Sequence, residues 1–415
     1  MFRLPTARLP LTLLLTALWA ASAPAPADEL PRLWSAEQLL GSSWQSHPLI
    51  NSKRAGVNAA ESDLEGVKWQ RYPTPSIEAN RRFNGTSYHL VRLEQPLWTG
   101  GRITAGIDAA GSRKEAAEAG VSEAQVDLGL KVIAAWAEAR RQQAKLDHAR
   151  NGVKEHEKLL NLISRRVDQE VSPLVDRDFA RSRLLQASND LSSINQALNN
   201  ALTSLSQYAS QPVSRVNSAF RNEVPSSREA ALGLAMDFSP LIRRLSAEEE
   251  AAGADIDTRR AAMLPQLSLR LESVTGSQGD NRAMVVVTAQ LGAGLSAPAA
   301  VDAATARRES ARLTKEAAAR DIREQITLDW EDLQATRSRL ENARLSRTMS
   351  ADVFESYTRQ YTTGRKTWID VLNAIREKTQ ADFSLADAEA QEAAATLRLR
   401  LRTGLLRQDS ATSAP

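Results

Sequence analysis

Two very long stretches of the chain, 103–168 and 301–363, interleave charged and small residues and contain no proline. Proline cannot continue a helical hydrogen-bond ladder, so its absence permits uninterrupted helices. We predict long helices over 101–169 and 299–363. About 65 residues at ~1.5 Å per residue give rods of roughly 100 Å, which is longer than a single globular core. The pattern therefore predicts a coiled-coil assembly.

Each long helix has two shorter predicted companions. Helices over 48–71 and 173–209 accompany the first, and helices over 240–262 and 367–405 accompany the second. The two companions together are nearly as long as one rod, so we expect them to stack end to end beside it. Small residues and charges dominate all of these helices, and large aliphatic stripes are thin. Such faces favour helix layers that are wet on both sides, with narrow apolar seams.

Alternation of apolar and polar residues marks two extended segments, which we predict to be β-hairpins over 74–98 and 266–296. The second shows it best, since Leu267, Leu269 and Leu271 alternate with Ser268, Arg270 and Glu272. In the first, a turn is expected at Asn84-Gly85-Thr86. Each run is close to the ~9–11 residues that a tilted strand needs to cross a bilayer. The polar face would then line a wet lumen and the apolar face would meet lipid. An ordinary soluble hairpin is the alternative.

Four strands are too few for a closed barrel, because small closed barrels need about eight. If the strands cross a membrane, the chain must therefore oligomerise. The strand count alone does not say how many copies assemble.

The chain is internally duplicated. Pro48-Leu49-Ile50 recurs as Pro240-Leu241-Ile242, and Trp136, Leu146 and Asp176 recur in the same order as Trp330, Leu340 and Asp370. Tryptophan and proline are rare, so matches between them carry more weight than matches between alanines. We assign the first repeat to 28–225 and the second to 226–407, and we expect a short disordered tail over 408–415.

The first 27 residues have the pattern of a secretory signal peptide. Arg3 and Arg8 precede an apolar run from Leu9 to Ala21, and Ala25-Pro26-Ala27 offers small residues for cleavage. Export and the absence of cysteine suit a bacterial periplasm or outer membrane. After this segment no window has the ~18 consecutive apolar residues of a membrane helix. A chain of this kind could cross a membrane only as a closed β-barrel.

Composition narrows the chemistry further. The formal net charge is +3, there is no cysteine, and only four histidines occur. These counts argue against a disulfide framework, a thiolate or histidine-rich metal site, and a nucleic-acid-binding protein. No phosphate-binding loop, nucleophile elbow or metal motif is present. We therefore expect no catalytic residues, no cofactor, no metal and no enzymatic activity.

Three phrases carry a resemblance to a known family, and they are Gln95-Pro96-Leu97-Trp98-Thr99-Gly100-Gly101-Arg102, Met263-Leu264-Pro265-Gln266-Leu267 and Gly364-Arg365-Lys366-Thr367-Trp368-Ile369-Asp370-Val371-Leu372-Asn373-Ala374. Together with the signal and the duplication, they resemble the TolC-like outer membrane efflux protein family. The resemblance implies a mainly α protomer with a membrane β-barrel. Three copies would form a 12-stranded barrel in the outer membrane, continued by a long α-helical coiled-coil tunnel through the periplasm.

The same resemblance implies partners. Family members are homotrimers whose inner end opens when a periplasmic adaptor and an inner-membrane ABC or proton-driven transporter dock. The third phrase is most similar to members that serve type I secretion of large proteins such as adhesins. The alternatives are a channel of a multidrug or metal efflux pump and, in a different class, a soluble periplasmic coiled-coil scaffold.

A periplasmic gate is implied by matching positions. Asp370 matches an aspartate that rings the constriction in the family, and Asn373 stands where many members carry a second aspartate. Tyr361 and Lys366 match positions that hold neighbouring helices together when the tunnel is closed. Asp176 is the repeat-equivalent of Asp370. For both aspartates the alternative is a helix N-terminal acid favoured by the dipole.

Two further groups complete the expected sites. The hairpin tips that would contact the adaptor contain Val171, Ser172, Gly364 and Arg365, with Ser172 expected as the N-cap of the returning helix. Tyr88 and Trp98 are candidate interfacial aromatics facing the lipid headgroups. For Trp98, burial beneath the barrel is an equal alternative.

Overall fold

The computed structural model describes residues 33–81, 87–276, 279–289 and 296–406. The predicted signal peptide 1–27, the turn at Asn84-Gly85-Thr86 and the tail 408–415 lie outside these ranges. The predicted second hairpin, 266–296, is described except at 277–278 and 290–295.

The described elements occur in two successive sets with the same order. The first set comprises α1 (Ala36–Ser46), α2 (Pro48–Trp69), β2 (Thr74–Arg81), β3 (Ser87–Trp98), α3 (Arg102–Asp168) and α4 (Leu174–Ala209). The second comprises α5 (Arg228–Phe238), α6 (Pro240–Ala262), β5 (Gln266–Gly276), β6 (Asp280–Thr288), α7 (Ala297–Thr362) and α8 (Trp368–Arg402). Two short parallel strands, β1 (Leu33–Trp34) and β4 (Arg215–Val216), pair with each other. The predicted fold class, mainly helical with four long strands, is confirmed.

Local sequence explains where the helices begin. Pro48 and Pro240 occupy the first turns of α2 and α6, where a missing N–H costs nothing. Ser35 and Gln38 form a reciprocal capping box at the start of α1. Sequence analysis did not predict α1 and α5, which each precede one of these prolines.

The long helix α3 lies at the centre of the fold. It packs against α4 and α8 along one part of its length and against α2 and α6 along the other. The main apolar core surrounds its middle, where Trp136 is fully buried beside Leu128, Val132 and Leu397. The second long helix, α7, packs against α8, α6 and α5. One continuous rod thus pairs with two shorter helices in succession, as the matched lengths predict.

The four long strands form one antiparallel sheet in the order β2-β3-β5-β6. Apart from Arg81 at the end of β2, the charged residues of the four described strands share one face, on which Arg92 pairs with Glu272 at 2.8 Å and Arg270 pairs with Glu94 at 3.0 Å. The opposite face carries large apolar side chains that are exposed, namely Ile77, Val91, Leu93, Leu271, Val285 and Val287. The sheet therefore separates a charged face from a bare apolar one.

Within the described ranges, every helix falls short of the length or the apolar character that crossing a membrane requires.

Candidate functional site

The candidate site lies where the two helical hairpins, α3–α4 and α7–α8, reverse direction. Both turns have the same backbone hydrogen-bond pattern. The Val171 N–H donates to the Arg166 carbonyl at 2.8 Å, and the Arg365 N–H donates to the Gln360 carbonyl at 2.9 Å. In each turn the preceding residue adopts positive φ, 56° at Glu170 and 75° at Gly364. These are Schellman-type helix ends, and only the second has the glycine that this conformation favours.

The returning helices begin differently. Helix α8 starts with a capping box, in which the Asp370 N–H donates to Thr367 Oγ1 at 3.3 Å and the Thr367 N–H donates to Asp370 Oδ2 at 3.0 Å. Helix α4 starts after Pro173, and no side chain caps it. The expectation that Ser172 is its N-cap is therefore wrong, because Pro173 occupies the capping position with extended backbone.

An apolar cluster joins the two hairpins just behind these turns. Its buried members are Leu159, Ile163, Ala180, Tyr361, Val371, Leu372 and Ile375, contributed by α3, α4, α7 and α8. The Arg166 guanidinium lies 4.7 Å from the centroid of the buried Tyr361 ring, so α3 holds the end of α7 through a cation–π contact. The Lys366 ammonium lies 4.3 Å from the Tyr357 ring centroid.

The predicted gate residues divide between the two hairpins. Tyr361, Lys366, Asp370 and Asn373 share the α7–α8 end, whereas Asp176 lies in the first turn of α4. Hydrogen bonds from the Thr367 backbone and hydroxyl, aided by the nearby charge of Lys366, hold the pKa of Asp370 below its usual range. Asp370 is therefore an anion at neutral pH with one carboxylate oxygen committed to its helix cap. Asn373, one turn further along α8, is exposed.

The two predicted tips differ in character. Val171 is 67% exposed and is followed by exposed Leu174 and Val175, which makes the α3–α4 tip apolar. Gly364 and Arg365 are exposed at the α7–α8 tip, with Lys366 next in sequence, which makes that tip basic. Ser172 lies half-buried between the apolar residues.

The candidate interfacial aromatics lie on opposite faces of the sheet. Trp98 is half exposed and pairs with Leu267, which shares the apolar face with Val287. Tyr88 lies on the charged face, where its hydroxyl accepts a hydrogen bond from Asn80 Nδ2 at 2.9 Å. Tyr88 and Arg92 are four residues apart on β3, so the strand alternation places both on the charged face, opposite Trp98.

Sequence reasoning missed a groove near the same end of the molecule. It runs along α3 between α4 and α8, and Phe179, Arg183, Arg376 and Phe383 contribute to its walls. These residues fall at helical spacing on α4 and on α8, but only the packing of both helices on α3 brings the two sets together.

Comparison with known proteins agrees with this geometry. The family model described as outer membrane efflux protein matches residues 39–211 and 231–405. The chain is 23% identical over 399 residues to the outer membrane efflux protein BepC of Brucella suis biovar 1, covering 88% of this chain and 84% of that protein.

Solved structures show the same fold. The outer membrane protein VceC of Vibrio cholerae superposes with a TM-score of 0.76 at 16% identity, covering 89% of this chain and 96% of VceC. The open state of the MtrE outer membrane channel of Neisseria gonorrhoeae gives 0.75 at 17% identity, covering 89% and 88%. The chain belongs to the outer membrane efflux protein family and, as the sequence predicts, it is an outer-membrane protein whose helical part lies in the periplasm.

Proposed function

We propose that three copies of this chain form a closed conduit, through which exported molecules pass from the periplasm to the cell exterior. The observation that carries the proposal is the four-stranded sheet. All three of its strand pairings are antiparallel, so its edge strands β2 and β6 run in opposite directions. The β6 edge of one copy can therefore pair with the β2 edge of the next and continue the same pattern. Unpaired edges of this kind are templates for further pairing.

The two faces of the sheet suit a membrane conduit. Ile77, Val285 and Val287 on the apolar face are 80%, 61% and 66% exposed, which is costly in water and favourable in lipid. The cross-strand ion pairs lie on the other face, which would be the inner surface of the closed sheet. Three copies supply twelve strands, above the about eight that closure needs.

The helical part supports the same assembly. Leu345, Met349 and Val353 follow one another at four-residue spacing on α7 and are 55%, 65% and 39% exposed. An apolar stripe on the outer side of an edge helix fits a neighbouring copy. In this assembly the hairpin ends form the periplasmic entrance. Asp370 of three copies forms an acidic ring with Asn373 beside it, and Tyr361, Lys366 and Asp176 contribute to closure.

The assembly can be tested by size. Leu345→Glu with Met349→Glu should leave helix content unchanged and convert trimers to monomers, because charges would be buried against the neighbouring copy. The measurement is multi-angle light scattering of the detergent-solubilised protein. Asn151→Glu, at the repeat-equivalent exposed position on α3, is the control and should remain trimeric. Trimers in the double variant would overturn this assembly.

The gate assignment needs a control for the structural role of Asp370. Asp370→Asn removes the charge, whereas Thr367→Ala removes the hydroxyl of the cap and keeps the carboxylate. If Asp370 forms an acidic ring, block of single-channel conductance by multivalent cations should weaken in the first variant and persist in the second. Equal behaviour of the two variants would assign Asp370 to capping alone.

For cargo, we propose type I protein secretion with an adaptor and an ABC transporter. The phrase Arg365-Lys366-Thr367-Trp368-Ile369-Asp370 and its continuation through Glu377 support this choice. Export of small molecules with a proton-driven pump is the second candidate, which the names of the efflux relatives favour.

Deletion of the gene separates the two candidates. Loss of a large protein from the cell surface or medium, with unchanged susceptibility to drugs and metals, is expected for secretion. Increased susceptibility with an unchanged extracellular protein profile would instead assign the chain to efflux.

A further inference from the structure

A groove on α3, flanked by α4 and α8, has the form of a small-molecule site. Its volume is about 280 Å³, near the lower end of the ≈ 300–1,000 Å³ typical of ligand pockets. Two small residues of α3, Ala149 and Gly152, form the floor. A side-chain carbon at Gly152 would lie 3.3 Å from Thr379 Oγ1 on α8, so the depth of the groove depends on this glycine.

The walls combine aromatic rings with cations. Phe179 and Arg183 of α4 line one side, and Arg376 and Phe383 of α8 line the other. The Arg183 guanidinium lies 4.9 Å from the centroid of the Phe179 ring and donates to Gln186 Oε1 at 2.9 Å. Among the described residues, neither Arg183 nor Arg376 has a carboxylate within ion-pair distance. Both cations are therefore available to a ligand.

The other titratable lining groups leave the groove cationic. Asp190, further along α4, is the single acid among the lining residues. His156 of α3 lies half-buried, and its burial, with a smaller contribution from the charge of Arg183, lowers its pKa. His156 is therefore neutral at pH 7 and provides hydrogen bonding instead of charge. Two arginines against one aspartate give the site a net positive charge.

We propose that this groove binds a small anionic aromatic molecule, a one- or two-ring carboxylate or sulfonate. The ring packs against Phe383 over the floor residue Ala149, and the anionic group pairs with the guanidinium groups of Arg183 and Arg376. The volume of about 280 Å³ accommodates a bicyclic ring system. All lining residues come from one chain, so the site exists in each copy and does not depend on the proposed conduit.

Matched probes test the proposal on the full-length protein in nonionic detergent. Naphthalene-2-sulfonate should bind with one molecule per chain by isothermal titration calorimetry. The cation 2-naphthylmethylammonium, which has the same ring system, should bind at least ten-fold more weakly. Arg376→Gln should weaken naphthalene-2-sulfonate binding about ten-fold, as expected for loss of one charge-assisted contact. Arg183→Gln should have a similar effect.

Arg344→Gln is the matched control, since Arg344 is an exposed arginine of α7 outside the groove. Its affinity for naphthalene-2-sulfonate should equal that of the unmodified protein. Equal binding of the two probes, or unchanged affinity in both groove variants, would overturn the proposal. Because Arg376 is exposed, its replacement should leave the fold intact, which circular dichroism verifies. If the unmodified protein were monomeric and still bound naphthalene-2-sulfonate, the conduit would be refuted and the site would stand.

Discussion

The long helices α3 and α7 are repeat-equivalent and nearly equal in length, 67 and 66 residues, yet they differ in burial. Helix α3 has 20 buried residues and α7 has 8. Their equivalent tryptophans show the same contrast, because Trp136 is fully buried and Trp330 is only partly buried. One helix is enclosed by its own chain, and the other forms an edge.

The two copies of the duplicated sequence thus have different packing environments in the fold. Helix α3 has partners from both repeats, whereas α7 is the last helix of the layer and exposes Leu345 and Met349. The proposed neighbouring copy would cover these apolar residues.

Trp136→Ala should lower the free energy of unfolding by about 3–5 kcal/mol, since it empties a large buried site. Trp330→Ala should cost clearly less, because that ring is already partly exposed. Urea denaturation of the purified protein in detergent measures both. Equal losses would contradict the division into an enclosed helix and an edge helix.

Asp382→Asn should lower the free energy of unfolding by about 2 kcal/mol, which is typical of a lost hydrogen bond to a charged group. Asp382 is buried on α8 and accepts from Arg347 of α7 at 3.1 Å and from Lys378 at 3.4 Å, with His148 of α3 3.7 Å away. The hydroxyl of its repeat-equivalent, Ser188, donates to the Leu184 carbonyl of its own helix. Ser188→Ala should stay within about 0.5 kcal/mol in the same urea assay. Similar losses of unfolding free energy in the two variants would show that the contacts of Asp382 with α7 and α3 stabilise the second repeat no more than Ser188 stabilises the first.

Substitutions at the positive-φ residues of the two Schellman turns should change stability in opposite directions. Gly364→Ala forces a side chain into the left-handed region and should cost about 1–2 kcal/mol. Glu170→Gly relieves the same strain and should raise the thermal unfolding midpoint. A lowered midpoint for Glu170→Gly would show that the glutamate side chain stabilises the turn by more than its backbone strain costs.

The capping difference between α8 and α4 should have a smaller effect, which is confined to amide exchange in their first turns. Thr367→Ala should speed amide exchange in the first turn of α8 by roughly five-fold, the equivalent of about 1 kcal/mol. Ser172→Ala should leave the first turn of α4 unchanged, because Ser172 does not cap it. Hydrogen-exchange mass spectrometry compares the two helix starts in one sample. Faster exchange in α4 of Ser172→Ala would contradict the assigned cap.

The cap also predicts a pH dependence. The folded pKa of Asp370 lies below its unfolded value, so its stabilisation is complete above the unfolded pKa near 3.8. As the pH falls through the lowered folded pKa, protonation removes that contribution and the start of α8 frays. Carboxyl titration of Asp370 by NMR should give a lower pKa in the unmodified protein than in Thr367→Ala.

The long helices were predictable because proline-free, charge-rich stretches leave few other structures. The sheet was also predictable, since Leu269 and Leu271 alternate with Arg270 and Glu272. A misleading pattern occurs at the end of α8, where Leu397, Leu399 and Leu401 alternate with arginines as in a strand. These residues are helical, and they are buried on several sides because α3, α5 and α7 surround that end of α8.

The candidate site was less predictable. Sequence spacing placed Asp370 near the start of a helix, but the reciprocal bond to Thr367 depends on local backbone geometry. Tyrosine is typical of membrane interfaces, but only the strand register shows that Tyr88 lies on the charged face. The groove between α4 and α8 was invisible because its arginines, Arg183 and Arg376, lie far apart along the chain and meet through packing on α3.

The exposed apolar face and the two outer edges of the described sheet also make a single, newly synthesised chain prone to aggregation. Before assembly, β2 and β6 offer hydrogen-bonding groups to any extended segment, and Ile77 and Val285 are exposed beside them. Such a monomer is prone to aggregate in proportion to its concentration. If three copies assemble as proposed, the unassembled chain must therefore be short-lived or have its strand edges shielded.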